Sequence, residues 1–286
     1  MPLQYAERSF GFMGAIDNYQ EADVVLLGIP MDFTVSYRSG SRMGPQSIRN
    51  VSVGLEEYSF YLKKSLSLIK YYDCGDLILP WGNVPKSLVI IKESAQKLFQ
   101  DDKFPIFIGG EHLVSYPLIE AAYKKHPDLV VIHFDAHADL RMDYLGEKNS
   151  HASVIRRVVE LIGGENVFQF GIRSGDEIEF IFAKDNTNMF PEEVVKPLKQ
   201  VIPRLKDRPI YVTLDIDVID PAFAPGTGTP EPGGCSSREI IECIHLLGGV
   251  KVIGFDLVEI LPTSDLSERT ALLGAKLIRE AILTFK

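Results

Sequence analysis

With 286 residues, 45% of them hydrophobic and 24% charged, the chain is long enough to bury one large α/β domain, 1–286, and short for two catalytic ones. A net charge of −9 speaks against a nucleic-acid partner, which needs clustered Lys and Arg, and is compatible with a cationic small substrate. Three cysteines without C-x-x-C spacing argue against a disulfide framework and a thiolate metal site. No apolar run approaches the roughly 20 residues of a membrane span, and residues 1–10 lack signal-peptide character, so a cytoplasmic location with no membrane partner is expected.

The first strand signal is the apolar run Asp23 to Ile29, stopped by Pro30. A Gly- and Ser-rich loop follows from Tyr37 to Arg49, in which Gly44-Pro45 opens a helix because proline suits the first helical turn. With no G-K-[ST] and no G-x-G-x-x-G, this loop is not a phosphate cradle. Residues 69–73 read as a strand and residues 88–98 as an amphipathic helix. Phe104 to Ile108 is a strand that runs into Gly109-Gly110-Glu111-His112. There the glycines allow a sharp turn and close backbone approach and deliver a histidine just past the strand end. A helix to Lys125 is expected next.

Leu129 to Ile132 is rich in β-branched residues and shows no period of 3.6, so it reads as a buried strand. His133-Phe134-Asp135-Ala136-His137-Ala138-Asp139 comes directly after it. Fully extended, Asp135 and Asp139 would stand roughly 13 Å apart at about 3.3 Å per residue, too far to serve a pair of ions about 3.5–4 Å apart. The chain must therefore turn just after Asp135. That gathers carboxylate, imidazole and carboxylate at the carboxyl end of a strand, where open α/β sheets build their ligand sites.

Further along, residues 151–161 read as a helix, 167–172 as a strand, the region of Met189 as a weak strand, and 192–205 as a helix that Pro197 and Pro203 shorten or kink. Ile210 to Leu214 is a strand ending in Asp215-Ile216-Asp217, two carboxylates that are costly together unless a cation neutralises them. Ser236 and Glu239 form a capping-box signature for a helix through Leu247. Residues 250–255 are a strand leading to Asp256 and Glu259, and residues 266–283 a closing helix. About eight strands alternating with helices is the pattern of a three-layer α/β/α sandwich on a central, mostly parallel sheet.

Oxygen and imidazole ligands without thiolate favour manganese, or a comparably oxygen-seeking divalent ion, over structural zinc. Four carboxylates balance two divalent ions, and a bridging hydroxide leaves the cluster at about minus one, which suits a substrate that is cationic at the reacting carbon. Coordination brings the pKa of water from 15.7 to about 7. The chemistry is that of a metal-assisted hydrolase.

The motifs G-G-E-H at 109–112, D-A-H-A-D at 135–139, Ser150-His151, D-I-D-V-I-D-P at 215–221 with G-T-G-T-P at 226–230, and D-L-V-E at 256–259 resemble those of the ureohydrolases. That group comprises arginase, agmatinase and their relatives, and the match spans most of the chain in the family's order. G-P-Q-S-I-R at 44–49 and D-C-G-D at 73–76 are most similar to the bacterial agmatinases. The resemblance implies an arginase-like sandwich holding two manganese ions, with a bridging hydroxide that attacks the guanidinium carbon of agmatine and yields urea and putrescine. It implies that His112 and Asp139 bind one ion, that His137 and Asp217 bind the other, and that Asp135 and Asp215 bridge them. His151 matches a proton-shuttling histidine, Glu259 the carboxylate that receives the guanidinium, and Thr229 a residue lining the same pocket, while Asp139 also relays a proton to the leaving amine. A homo-oligomer, trimer or hexamer, is implied too.

Aminopropylagmatine, guanidinobutyrate and arginine fit the same chemistry. A deacetylase-like amide hydrolase with a single metal leaves the second aspartate–histidine set unexplained, and an intact ligand set disfavours a silent guanidino-binding paralogue. Arginases resemble one another in carrying a hydroxyl and an amide that receive arginine's α-carboxylate, at positions that fall on Glu147 and Arg141 here by counting, in a shorter loop. A carboxylate at 147, or failing it Asp143, would repel that group and attract the ammonium of agmatine; otherwise Glu147 is a solvated neighbour of Lys148. His133 is read as a hydrogen-bonded core histidine, His126 and His245 as ordinary helix residues, and Tyr58, Phe60, Tyr61, Phe180 and Phe182 as packing.

Overall fold

Strands built from Val, Ile, Leu and Phe and buried on both faces require helices on both sides, and the chain supplies them in alternation. The structure, a computed structural model, describes residues 3–8, 10–205 and 207–286. In order these form β1 (Ala6–Glu7), β2 (Val24–Ile29), α1 (Gly44–Ser52), a hairpin of β3 (Tyr58–Ser59) and β4 (Lys64–Ser65), β5 (Tyr71–Leu77), α2 (Val84–Gln100), β6 (Phe104–Gly109), α3 (Ser115–Lys125) and β7 (Val130–Phe134). There follow α4 (Val154–Ile162), β8 (Val167–Ile172), α5 (Glu177–Asn186), β9 (Asn188–Pro191), α6 (Val195–Leu205), β10 (Ile210–Asp215), α7 (Ser237–Leu246), β11 (Val252–Val258) and α8 (Arg269–Phe285). Nine strands make one sheet in the order β1-β5-β2-β6-β11-β10-β7-β8-β9. It is parallel throughout except where β1 runs antiparallel to β5.

Side-chain alternation along each strand divides the core in two. Val24 and Leu26 of β2 face the layer of α1, α6, α7 and α8, while Val25, Leu27 and Ile29 face α2, α3 and α4. The sandwich is thus as expected, with one strand more than about eight. The addition is β1, whose two residues at the sheet edge are too few to leave a periodic signal. Helix α5 was also illegible, because Ile178, Phe180 and Ile181 are exposed on it and blur its apolar stripe; its readable signature is the capping box of Asp176 and Glu179. Helix α6 starts at Val195 rather than 192, since Glu192 takes a φ of 63°, and β11 continues to Val258, which puts Asp256 inside the strand rather than beyond it. Among the described residues no helix is long and apolar enough to cross a membrane.

The motifs at 44–49 and 73–76 meet each other. Arg49 on α1, 1% exposed, places Nε 2.8 Å from Asp73 Oδ2 and Nη2 3.0 Å from Asp73 Oδ1, and its Nη1 pairs with Asp76. Asp73 also accepts from the Phe12 and Gly75 amides at 2.8 and 2.9 Å. The bidentate pair clamps α1 to β5, so Arg49→Met, which leaves Asp73 buried and uncompensated, is expected to cost about 3–5 kcal/mol. Denaturant unfolding checks this, and an unchanged midpoint would show that the clamp contributes nothing net.

Candidate metal centre

Strands β6, β11, β10 and β7 are neighbours in the sheet, and each ends in a polar loop on the same rim. At β6 the turn is tight: a Cβ on Gly110 would lie 2.0 Å from the Met31 carbonyl oxygen, so glycine is needed there for steric reasons. That turn is pinned by Glu111 N–H to Met31 O at 2.7 Å and by Glu259 N–H to Gly110 O at 2.8 Å. It brings His112 and Glu259 to one place.

Beneath the rim lies a polar row across an otherwise apolar sheet. Register aligns Gln169 with His133, His133 with Thr213, and Thr213 with Asp256, and the period of two puts Asp135 and Asp215 on the same face, next in line. Asp256 accepts from Thr213 Oγ1 at 2.7 Å, Tyr211 OH at 2.8 Å and Ser115 Oγ at 3.0 Å. Because the Thr213 proton is committed to Asp256, Thr213 Oγ1 accepts from His112 Nε2, 3.0 Å away. With Nε2 engaged in this way, Nδ1 is the ring nitrogen left to face the site.

That nitrogen points at carboxylates. His112 Nδ1 lies 2.9 Å from Asp135 Oδ2, 3.2 Å from Asp139 Oδ2 and 3.3 Å from Asp215 Oδ2, and no hydrogen bond satisfies it. His137 Nδ1 lies 3.0 Å from Asp217 Oδ2 and 3.5 Å from Asp135 Oδ1. Ligand atoms within 4.8 Å of one another fall into two groups, one containing His112, Asp135 and Asp139 with His133, the other Asp135, His137 and Asp217. Asp135 is common to both. His133 is engaged on both ring nitrogens, facing Asp135 Oδ2 at 2.8 Å and Gln169 Nε2 at 3.2 Å, which suits an orienting partner of Asp135. Carboxylates gathered around imidazole nitrogens in a dry site are costly unless positive charge stands among them, and this donor set of oxygens and imidazoles fits a pair of oxygen-seeking divalent ions.

The protonation behaviour of the acids carries the same message. Burial and the charges of Asp217 and Asp135 hold Asp215 well above the usual carboxylate range; burial and Asp135 push Asp139 up to about 7. Burial and Glu111 push Glu259 up to about 8, and burial pushes Glu111 itself up to about 7. Asp135 goes the other way, because His133, His112 and His137 together outweigh its burial. The cluster is short of positive charge. Asp139 and Glu259 also sit at φ of 52° and 63°, a backbone region costing about 1–3 kcal/mol for residues other than glycine. Strain of that kind concentrates where geometry serves chemistry.

A cavity of about 190 Å³ is lined by His112, His137, Asp139, His151, Asp215, Thr229 and Glu259, together with Ser36, Arg141 and Tyr144. Profile comparison identifies residues 22–284 with the arginase family. The chain belongs to the arginase family. Agmatinase of Bacillus subtilis (strain 168) is 53% identical over 277 residues, 96% of either chain, and agmatinase of Bacillus cereus is 52% identical over 275 residues, 95% of either chain. The crystal structure of agmatine ureohydrolase of Thermoplasma volcanium matches with a TM-score of 0.90 at 34% identity, covering 98% of this chain and 95% of that one.

For this arginase-family chain the structure gathers the six residues expected at the metals, along with His151, Glu259 and Thr229, whose Oγ1 lies 3.5 Å from Asp217 Oδ2. Glu147 is placed elsewhere. It is exposed and lines an adjoining cavity of about 440 Å³ that shares Ser36 and Tyr144 with the first. Arg141 lines the first cavity but turns to Asp176 at 3.3 Å and Glu179 at 3.5 Å. Sequence reasoning passed over Ser36, 3.1 Å from His151 Nε2, Tyr144, whose ring meets His151 edge-on at 5.7 Å, and Thr213. Thr213 had a usable signal, a polar residue inside a wholly buried strand; Ser36 and Tyr144, on irregular loops, had none.

Proposed function

We propose that the protein is an agmatinase, hydrolysing agmatine to urea and putrescine with two manganese ions held by His112, Asp135, His137, Asp139, Asp215 and Asp217. The observation that carries this reading is His112 Nδ1 facing three carboxylate oxygens, in a chain half identical to agmatinases over nearly its whole length. When bound, the ions supply Lewis acidity that makes water nucleophilic near neutral pH. Glu259 offers its carboxylate to the guanidinium: Oε1 is held by the His112 amide at 2.7 Å, leaving Oε2 for the substrate, whose positive charge restores the ionised form. As water adds to the guanidinium carbon and the bond to the alkyl nitrogen breaks, Asp139 passes a proton to the departing amine. His151 lines the same cavity and carries a proton between the site and solvent. Thr229 lines the site beside Asp217.

Within this reading the chain works as one domain, 1–286, in the cytoplasm, as a homo-oligomer, trimer or hexamer, which sedimentation checks. The test of function is urea release with manganese from agmatine, arginine, guanidinobutyrate and aminopropylagmatine. Strong preference for agmatine is expected; equal turnover of arginine would sink the substrate assignment, and release from none would sink the function. Glu147 acts on selectivity from the neighbouring cavity, through solvent, so Glu147→Gln is expected to lower the agmatine-to-arginine ratio of kcat/KM by no more than about fivefold. A ratio that does not move removes Glu147 from substrate selection.

A further inference from the structure

We propose that Thr34 and Ser36, on the loop after β2, are positioning residues for His151. His151 opens a short 3₁₀ turn, His151–Ser153, and the first N–H groups of such a turn have no partner within it. Here the Thr34 hydroxyl fills that role from a distant part of the chain, accepting the His151 N–H at 3.0 Å. It accepts in this direction because its own proton is committed to Glu111 Oε2 at 3.0 Å, an oxygen that also takes the Thr34 N–H at 2.7 Å. Two residues on, Ser36 Oγ lies 3.1 Å from the His151 ring at Nε2. The loop therefore holds His151 by its backbone and by its ring.

The far end of this bridge decides its consequence. Glu111 is fully buried and immediately precedes His112 in the turn after β6. Thr34 thus ties the start of the His151 turn to the turn that carries a metal ligand, independently of the exposed stretch 145–148 that precedes it in sequence. The inference rests on the proposed function, because it presumes that His151 moves protons for hydrolysis. Displacing a catalytic group by about 1 Å from outside the chemistry can cost about 10²-fold in rate.

The test compares the manganese-loaded parent with Thr34→Val, Thr34→Ser and Ser36→Ala, each alone and combined with His151→Ala, reading kcat and KM for urea release from agmatine together with metal content. Valine keeps the backbone N–H bond to Glu111 and removes only the hydroxyl. Thr34→Val is expected to lower kcat about 10²-fold with KM and metal content unchanged, and Thr34→Ser to restore most of that loss. In the His151→Ala background the effect of Thr34→Val should vanish, since nothing remains to be positioned. Ser36→Ala, at an exposed site where folding is not at risk, should show a smaller fall with the same dependence on His151, and decides the matter if Thr34→Val does not fold. Parent-like kcat in these variants, or losses that persist undiminished without His151, overturn the inference. A parent that releases urea from no guanidino compound overturns the proposed function and this inference with it, whereas an active parent without the coupling overturns this inference alone.

Discussion

Asp215→Asn is expected to reduce urea release from agmatine by more than about 10⁴-fold, beyond the roughly 10²–10⁴-fold that follows loss of a general acid or base. Asp215 stands at the end of β10, 3% exposed, with Oδ2 3.3 Å from His112 Nδ1 and Oδ1 accepting the Asp217 amide at 2.9 Å. An amide in its place halves the oxygen donors and adds an N–H that cannot face a cation, so under the proposed function a ligand shared by both ions would be lost. His151→Ala is expected to be milder, because buffer or water can carry its proton. Kinetics and metal analysis on the same preparations check the pair of variants; an Asp215→Asn enzyme with two metals and near-normal turnover would show that Asp215 is no bridge.

Removing the metal is expected to lower the melting temperature by roughly 5–10 °C. Four aspartates converge here, and in the metal-free protein burial and mutual repulsion already hold Asp215 and Asp139 up. Cations relieve that repulsion only in the folded state, and binding of this kind stabilises by about 2.7 kcal/mol when free metal is 100-fold above its dissociation constant. For a chain of this size each kcal/mol moves the midpoint by roughly 2–4 °C. Calorimetry before and after a chelator, with the metal content measured in both samples, gives the comparison. An unchanged midpoint in demonstrably stripped protein would mean that the acids are not held together by metal.

Much of this site was legible because its residues are punctuation in the sequence. Asp135, Asp215 and His112 each follow an apolar run, where a charged group has no structural reason to be, and the four-residue step from Asp135 to Asp139 forces a turn, which the chain makes at Ala136. The sandwich was legible for a related reason: strands buried on both faces leave no alternation, and helices with a stripe must lie between them. What stayed hidden depends on contacts between distant segments. The bond from Thr34 to His151 spans 117 positions, and no local pattern marks either partner. Asp256 reads from sequence as a loop residue, because a buried acid inside a strand looks improbable until Thr213, Ser115 and Tyr211 are brought around it. Counting along a loop cannot say into which of two adjoining cavities Glu147 faces.

The most direct measurement is to titrate manganese into stripped protein while recording bound metal and urea release from agmatine together. Activity should be absent at the start, rise with occupancy and level off at two ions per chain, with putrescine formed in step with urea. Full activity without bound metal, or saturation of both ions with no urea released, would contradict the assignment of this site as a dinuclear agmatinase centre.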